Sequence, residues 1–189
     1  MNHERIIKPE GKASGFLTPA RIVAEMVPAR YPDFLAALSP ATRSIIESPP
    51  LAMAWLPLEH FPAIVNAALQ VFDGDLERVS ELAERSLRAD LSTLYRIFIR
   101  MASAEMVLDR APAVWNTYLR SAGQCQVTER GPRRRVLTYT GVPFPSHSYW
   151  AYQSGAALGV IHVTGAVGGS AKIVDGGAYA NYCSLKITW

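Results

Sequence analysis

The residues of this chain with intrinsic reactivity are few and scattered. Cys125 and Cys183 could supply a thiolate nucleophile, or metal ligands completed by His147 or His162. A nucleophile needs a base within hydrogen-bond reach and an electropositive setting. A metal needs three or four ligands. The sequence holds no Cys-x-x-Cys, no His-x-x-x-His and no His-Glu-x-x-His. Cys183 alternates with Leu185 and Ile187, which marks it as a small buried hydrophobe. Ser146-His147-Ser148 sets hydroxyls beside an imidazole, but catalytic triads are assembled by folding and not by adjacency. Ser146 reads instead as a helix N-cap, and His60, after Glu59, as a cap or surface residue. These residues point to no catalytic group and no metal site, so neither an enzyme nor a cofactor is expected.

Binding chemistry is better represented. Arg130, Arg133, Arg134 and Arg135 cluster at a turn and could meet phosphate or an acidic protein partner. As a solvated hairpin tip they would instead discourage edge pairing. No recognition helix or stacking surface accompanies them, so nucleic acid is not the expected partner. Ala151, Gly155 and Gly159 recur at every fourth residue and allow close approach, of a helix to its own sheet or to a second copy in a homodimer. Trp55, Phe61, Tyr95, Phe98, Trp115, Tyr118, Tyr149 and Trp150, with Gln153, sit on or beside inward-facing positions. They are candidates for the wall of an apolar pocket, with Tyr95, Tyr118 and Gln153 as polar anchors.

The elements that must position these groups follow from periodicity and punctuation. Residues 1–15 are polar and glycine-spaced and read as a flexible leader. Residues 16–122 read as helical. Thr18-Pro19 and Ser39-Pro40 are helix starts. Leu58, Phe61, Ile64, Val65, Ala68, Leu69 and Phe72 form one helical face. Asp75 caps the next helix, Asp90 a further one, and 103–122 form one more, bent at Pro112. After Gly123 the texture changes to strands at 124–129 and 134–140, a helix at 146–164, and strands at 171–175 and 181–189. Cys183, Leu185, Ile187 and Trp189 alternate with polar residues, as in a sheet covered on one side. The fold class is therefore α+β: a helical N-terminal two thirds, then a β-β-α-β-β antiparallel sheet with helices on one face, in a single domain over 16–189.

With 189 residues, about half of them apolar, and a net charge of +3, the chain can bury an ordinary core. No signal peptide, membrane span or disulfide framework is legible, so a cytoplasmic protein is expected.

The motif Trp55-Leu56-Pro57-Leu58-Glu59, the helical middle, and the ending Tyr182-Cys183-x-Leu185-x-Ile187-x-Trp189 resemble a paralogous myxobacterial family of unknown function, from about Tyr31 onward. Its final unit resembles the 4-vinyl-reductase-type binding domain and, more remotely, haem-NO-binding and Bet3-like domains. The resemblance implies helices on an antiparallel sheet with an apolar pocket or tunnel between the layers, and frequent dimers. The haem-binding relatives carry a histidine ligand and a Tyr-x-Ser-x-Arg signature, which Tyr95-Arg96-Ile97-Phe98 does not match, so haem is not expected. The expectation is a non-catalytic sensor module for a small apolar molecule or acyl chain. The alternative is an interaction module that dimerises or docks an acidic partner.

Overall fold

The structure is a computed structural model that describes residues 8–94 and 102–189. Tyr95 and Phe98 lie outside the described residues. The chain opens with β1 (Glu10–Lys12) and α1 (Ser14–Met26), followed by α2 (Tyr31–Ala36), α3 (Pro40–Glu47), β2 (Trp55–Pro57), α4 (His60–Val71) and α5 (Leu76–Leu94). Then come α6 (Ala104–Asp109), α7 (Ala111–Tyr118), β3 (Leu119–Arg120), β4 (Gln124–Gly131), β5 (Arg134–Thr140), α8 (His147–Val163), β6 (Ser170–Gly176) and β7 (Cys183–Thr188). The fold is α+β, with the helices concentrated in the N-terminal part.

The C-terminal β-β-α-β-β order is as the alternation predicts. Its strands pair antiparallel in the order β4-β5-β7-β6. Tyr139 stands between Cys125 and Cys183 in register, and Leu137 is paired with Leu185. Cys183, Leu185 and Ile187 are buried while Ser184, Lys186 and Thr188 are not, so one face of this sheet carries the core. Ser39 and Ser146 cap their helices by accepting from the amides of Thr42 and Tyr149. The Asp75 carboxylate accepts from the amides of Glu77 and Arg78 at the start of α5.

Four local expectations are corrected. Residues 10–15 are not part of a loose leader. Glu10–Lys12 pairs with both Trp55–Pro57 and Leu119–Arg120 in a second, three-stranded sheet of order β2-β1-β3. Helix α1 starts at Ser14 and carries Pro19 inside it, because burial of Phe16, Ala20 and Val23 sets the helix against the core before Thr18 is reached. Helix α5 runs through Asp90 to Leu94, and the Asp90 side chain accepts from Thr18 of α1. The 103–122 segment is two helices and a short strand, with Pro112 opening α7.

Among the described residues the most extensive helix–helix contact is between α5 and α8. A β-carbon at Gly155 would lie 1.8 Å from the Ser80 carbonyl oxygen, and one at Gly159 3.0 Å from that of Glu84. The Ala151-Gly155-Gly159 stripe therefore serves a close approach within the chain. The surface that a dimer would need at Gly155 and Gly159 is already buried against α5.

Candidate functional site

Several helices and the sheet converge on an apolar cavity of about 260 Å³. Helix α5 contributes Ala83, Leu87 and Asp90, and α7 contributes Ala111, Val114, Trp115 and Tyr118. Helix α8 contributes Tyr149, Tyr152, Gln153, Ala156, Ala157 and Val160, and α1 Gly15 and Phe16. The α5, α7 and α8 series keep helical spacing, so each is one inward stripe. The small Gly15, Ala83, Ala156 and Ala157 sit where larger side chains would fill the space. Cys125, Leu137 and Tyr139 close it from the sheet, and Leu58 and Phe61 from the α4 side.

The rings are organised around Phe61, which meets Tyr152 edge-on at 5.0 Å, Tyr149 at 6.0 Å and Phe16 at 6.1 Å between centroids. Trp115 lies 5.2 Å from Tyr139, and its indole nitrogen donates to the Gly123 carbonyl. Burial opposes ionisation of several wall groups. Burial pushes the Cys125 thiol up to about 12, with the Tyr139 hydroxyl opposing. Burial likewise raises Tyr139, Tyr149 and Tyr152, opposed by Gln153 at Tyr149 and by Ser86 at Tyr152. Asp90 is also raised, chiefly by burial, against the Thr18 hydrogen bond and the charge of Arg21. A thiol and phenols this reluctant to ionise are poor nucleophiles and poor bases at neutral pH.

Of the predicted pocket residues, Phe61, Trp115, Tyr118, Tyr149 and Gln153 line this cavity. Trp150 is fully buried behind it, against Tyr139 and Tyr149, and its indole nitrogen has no partner among the described residues. Trp55 stands elsewhere, on β2, with the Lys12 ammonium and the Arg120 guanidinium 4.1 and 3.7 Å from its ring centre. Phe16, Cys125, Tyr139, Tyr152 and Asp90 belong to the wall and were not among the expected pocket residues. The signal for Asp90 was present in the sequence: Val79, Ala83, Ser86 and Asp90 continue one helical stripe, which places a carboxylate on an inward face.

The arginine cluster divides. Arg135 is corrected from a partner-contact residue to an interior one, since it is only 7% exposed and donates to both carboxylate oxygens of Asp109 at 2.8 and 3.1 Å. Arg130 also donates to Asp109, Arg134 faces Glu129 at 3.6 Å, and Arg133 donates to the Trp189 carbonyl oxygen. The described histidines lie off the cavity. His60 hydrogen-bonds Thr42, His162 hydrogen-bonds Glu84, and His147 stands edge-on to Tyr179. Among the described residues no three metal-ligating side chains gather. No helix among them is long and apolar enough to cross a membrane.

This architecture is the fold of H-NOX domains. The particular solved structures it matches include an H-NOX protein from S. oneidensis in the Fe(II) ligation state, at TM-score 0.66 and 13% identity over 94% of this chain and 95% of that one. An oxygen-binding H-NOX domain related to soluble guanylate cyclases matches at 0.61 and 9% identity, over 90% of each chain. A structure solved for the modulation of haem redox potential through porphyrin distortion matches at 0.62 and 9%, over 94% and 99%. No family model and no curated protein matches the sequence.

These neighbours overturn the expectation of no cofactor, since the fold is one on which haem is carried. The wall described above does not itself fit that group. Proteins hold haem iron through histidine, cysteine thiolate, methionine or tyrosine. The described residues of this wall include no histidine or methionine, and burial opposes ionisation of Cys125 and Tyr149. Among the described residues no arginine lines it to meet a propionate. A 150 Å³ apolar cavity takes benzene, so 260 Å³ takes roughly ten non-hydrogen atoms, against about forty in haem.

Proposed function

We propose that this chain is a sensor-type ligand-binding module that takes a small organic molecule into the cavity between α1, α5, α7, α8 and the sheet. The observation that carries this reading is the wall itself. It is aromatic and aliphatic, with a few polar groups at fixed positions, which is the composition of small-molecule sites. The likeness to H-NOX domains supports it, because those proteins also hold a ligand within this fold. The protonated thiol and phenols favour binding over catalysis. The Trp55-to-Trp189 motifs support placing the chain beside the myxobacterial paralogues.

The test is thermal unfolding with a panel of small aromatic probes, beginning with 2-phenylethanol, on the wild type and on Ala157→Leu, which fills the cavity. At a hundredfold excess over Kd the wild-type midpoint should rise by roughly 5–10 °C. Ala157→Leu should show no rise. A flat response of the wild type to every probe would remove the cavity as a ligand site.

A further inference from the structure

Within the wall, the described residues that carry charge are Lys12 and Asp90. Lys12 directs its ammonium elsewhere, to the Met53 carbonyl at 3.2 Å and over the Trp55 ring. Only its aliphatic stem is left to face the cavity. Asp90 is different. One of its oxygens accepts from the Thr18 hydroxyl at 2.6 Å, and no described cation forms an ion pair with it. Arg21, the nearest source of positive charge on α1, is paired with Glu25 at 2.5 Å. Among the described residues the carboxylate thus has one neutral hydrogen bond in an apolar wall, and burial disfavours its charge.

We propose that the cavity selects organic amines, with Asp90 receiving the ammonium group and the aromatic wall receiving the rest of the molecule. This rests on the cavity being a ligand site. A cation beside Asp90 satisfies a carboxylate with which no described cation pairs. Tyr152, Tyr149 and Phe61 add the negative faces of their rings to the attraction. The volume limits the ligand to roughly ten non-hydrogen atoms, the size of an arylalkylamine. A carboxylate ligand of the same size meets repulsion from Asp90.

Isothermal titration at pH 7 with three probes of one skeleton tests this: 2-phenylethylamine, 2-phenylethanol and phenylacetate. The wild type should bind the amine at least about tenfold more tightly than the alcohol, and phenylacetate most weakly. In Asp90→Asn, which keeps an acceptor for Thr18, the amine should fall to the level of the alcohol while alcohol binding is retained. Asp90→Glu should keep the preference for the amine, and it serves if the amide variant does not fold. Equal wild-type affinity for amine and alcohol overturns the role of Asp90 and leaves the cavity reading standing. An amine preference that survives in Asp90→Asn overturns it too. Failure of all three probes to bind the wild type removes the cavity reading and this proposal together.

Discussion

The guanidinium of Arg135 lies on the buried side of β5, level with Ile187 of β7, and has Asp109 of α6 as its counter-charge. A buried charge is tolerable only when paired and hydrogen-bonded. Arg135 also donates to the carbonyls of Gly131 and Arg134, so the pair ties α6 to the hairpin. The Arg135 hydrogen bond, aided by the charges of Arg135 and Arg130, holds the Asp109 carboxyl below its ordinary value. A folded-state value that is depressed contributes stability above the unfolded value, and loses it as pH falls through the folded one. Asp109→Asn should therefore cost about 1–2 kcal/mol at pH 7, the partial exposure of Asp109 keeping this below the buried-pair range. The difference from wild type should shrink as pH falls below about 4. Urea unfolding at pH 7 and pH 3 measures both, and a pH-independent difference would contradict the ion-pair account. The sequence shows four arginines as one exposed patch because adjacency hides alternation. In a strand, Arg134 and Arg135 point to opposite faces.

Helix α8 shows what spacing can reveal at the scale of an element. The small residues at 151, 155 and 159 announce a close approach, but a stripe on one helix does not name what it meets, and the partner is α5 rather than the sheet or a second copy. Since the Ser80 backbone cannot yield, Gly155→Ala should destabilise by about 3 kcal/mol, at the upper end of overpacking costs. Gly159→Ala meets the Glu84 carbonyl at 3.0 Å and the Leu87 side chain at 3.2 Å, and should cost about 1 kcal/mol. Thermal unfolding of the two variants ranks them, and equal losses would contradict the packing. The β-β-α-β-β unit was legible chiefly because β7 alternates over six residues and Gly-Pro and Gly-Gly turns punctuate the strands. The second sheet was not, because strands of two and three residues carry no period. Helix starts followed hydroxyl caps at Ser39 and Ser146, where the side chain accepts an amide. They failed at Thr18, whose hydroxyl is committed to Asp90.

At the scale of the whole molecule, the cavity is built from residues as distant in sequence as Phe16 and Val160. Five expected aromatic and polar residues reach it, because each lies on an inward helical stripe. Trp55 does not, since a three-residue strand gives its side chain no such assignment. Tyr139 and Cys125 were not expected in the wall because strand residues enter it only through sheet register, which joins β4, β5 and β7. The proposed occupant of the small aromatic cavity is a compact organic molecule. Native mass spectrometry of the protein after gentle purification, with an absorbance scan of the same sample, tests this most directly. The account predicts a complex heavier than the 20.7 kDa chain by roughly 100–200 Da, lost on denaturation. A Soret band with the mass of haem would contradict it, as would a chain that stays at its own mass both alone and with 2-phenylethanol and 2-phenylethylamine.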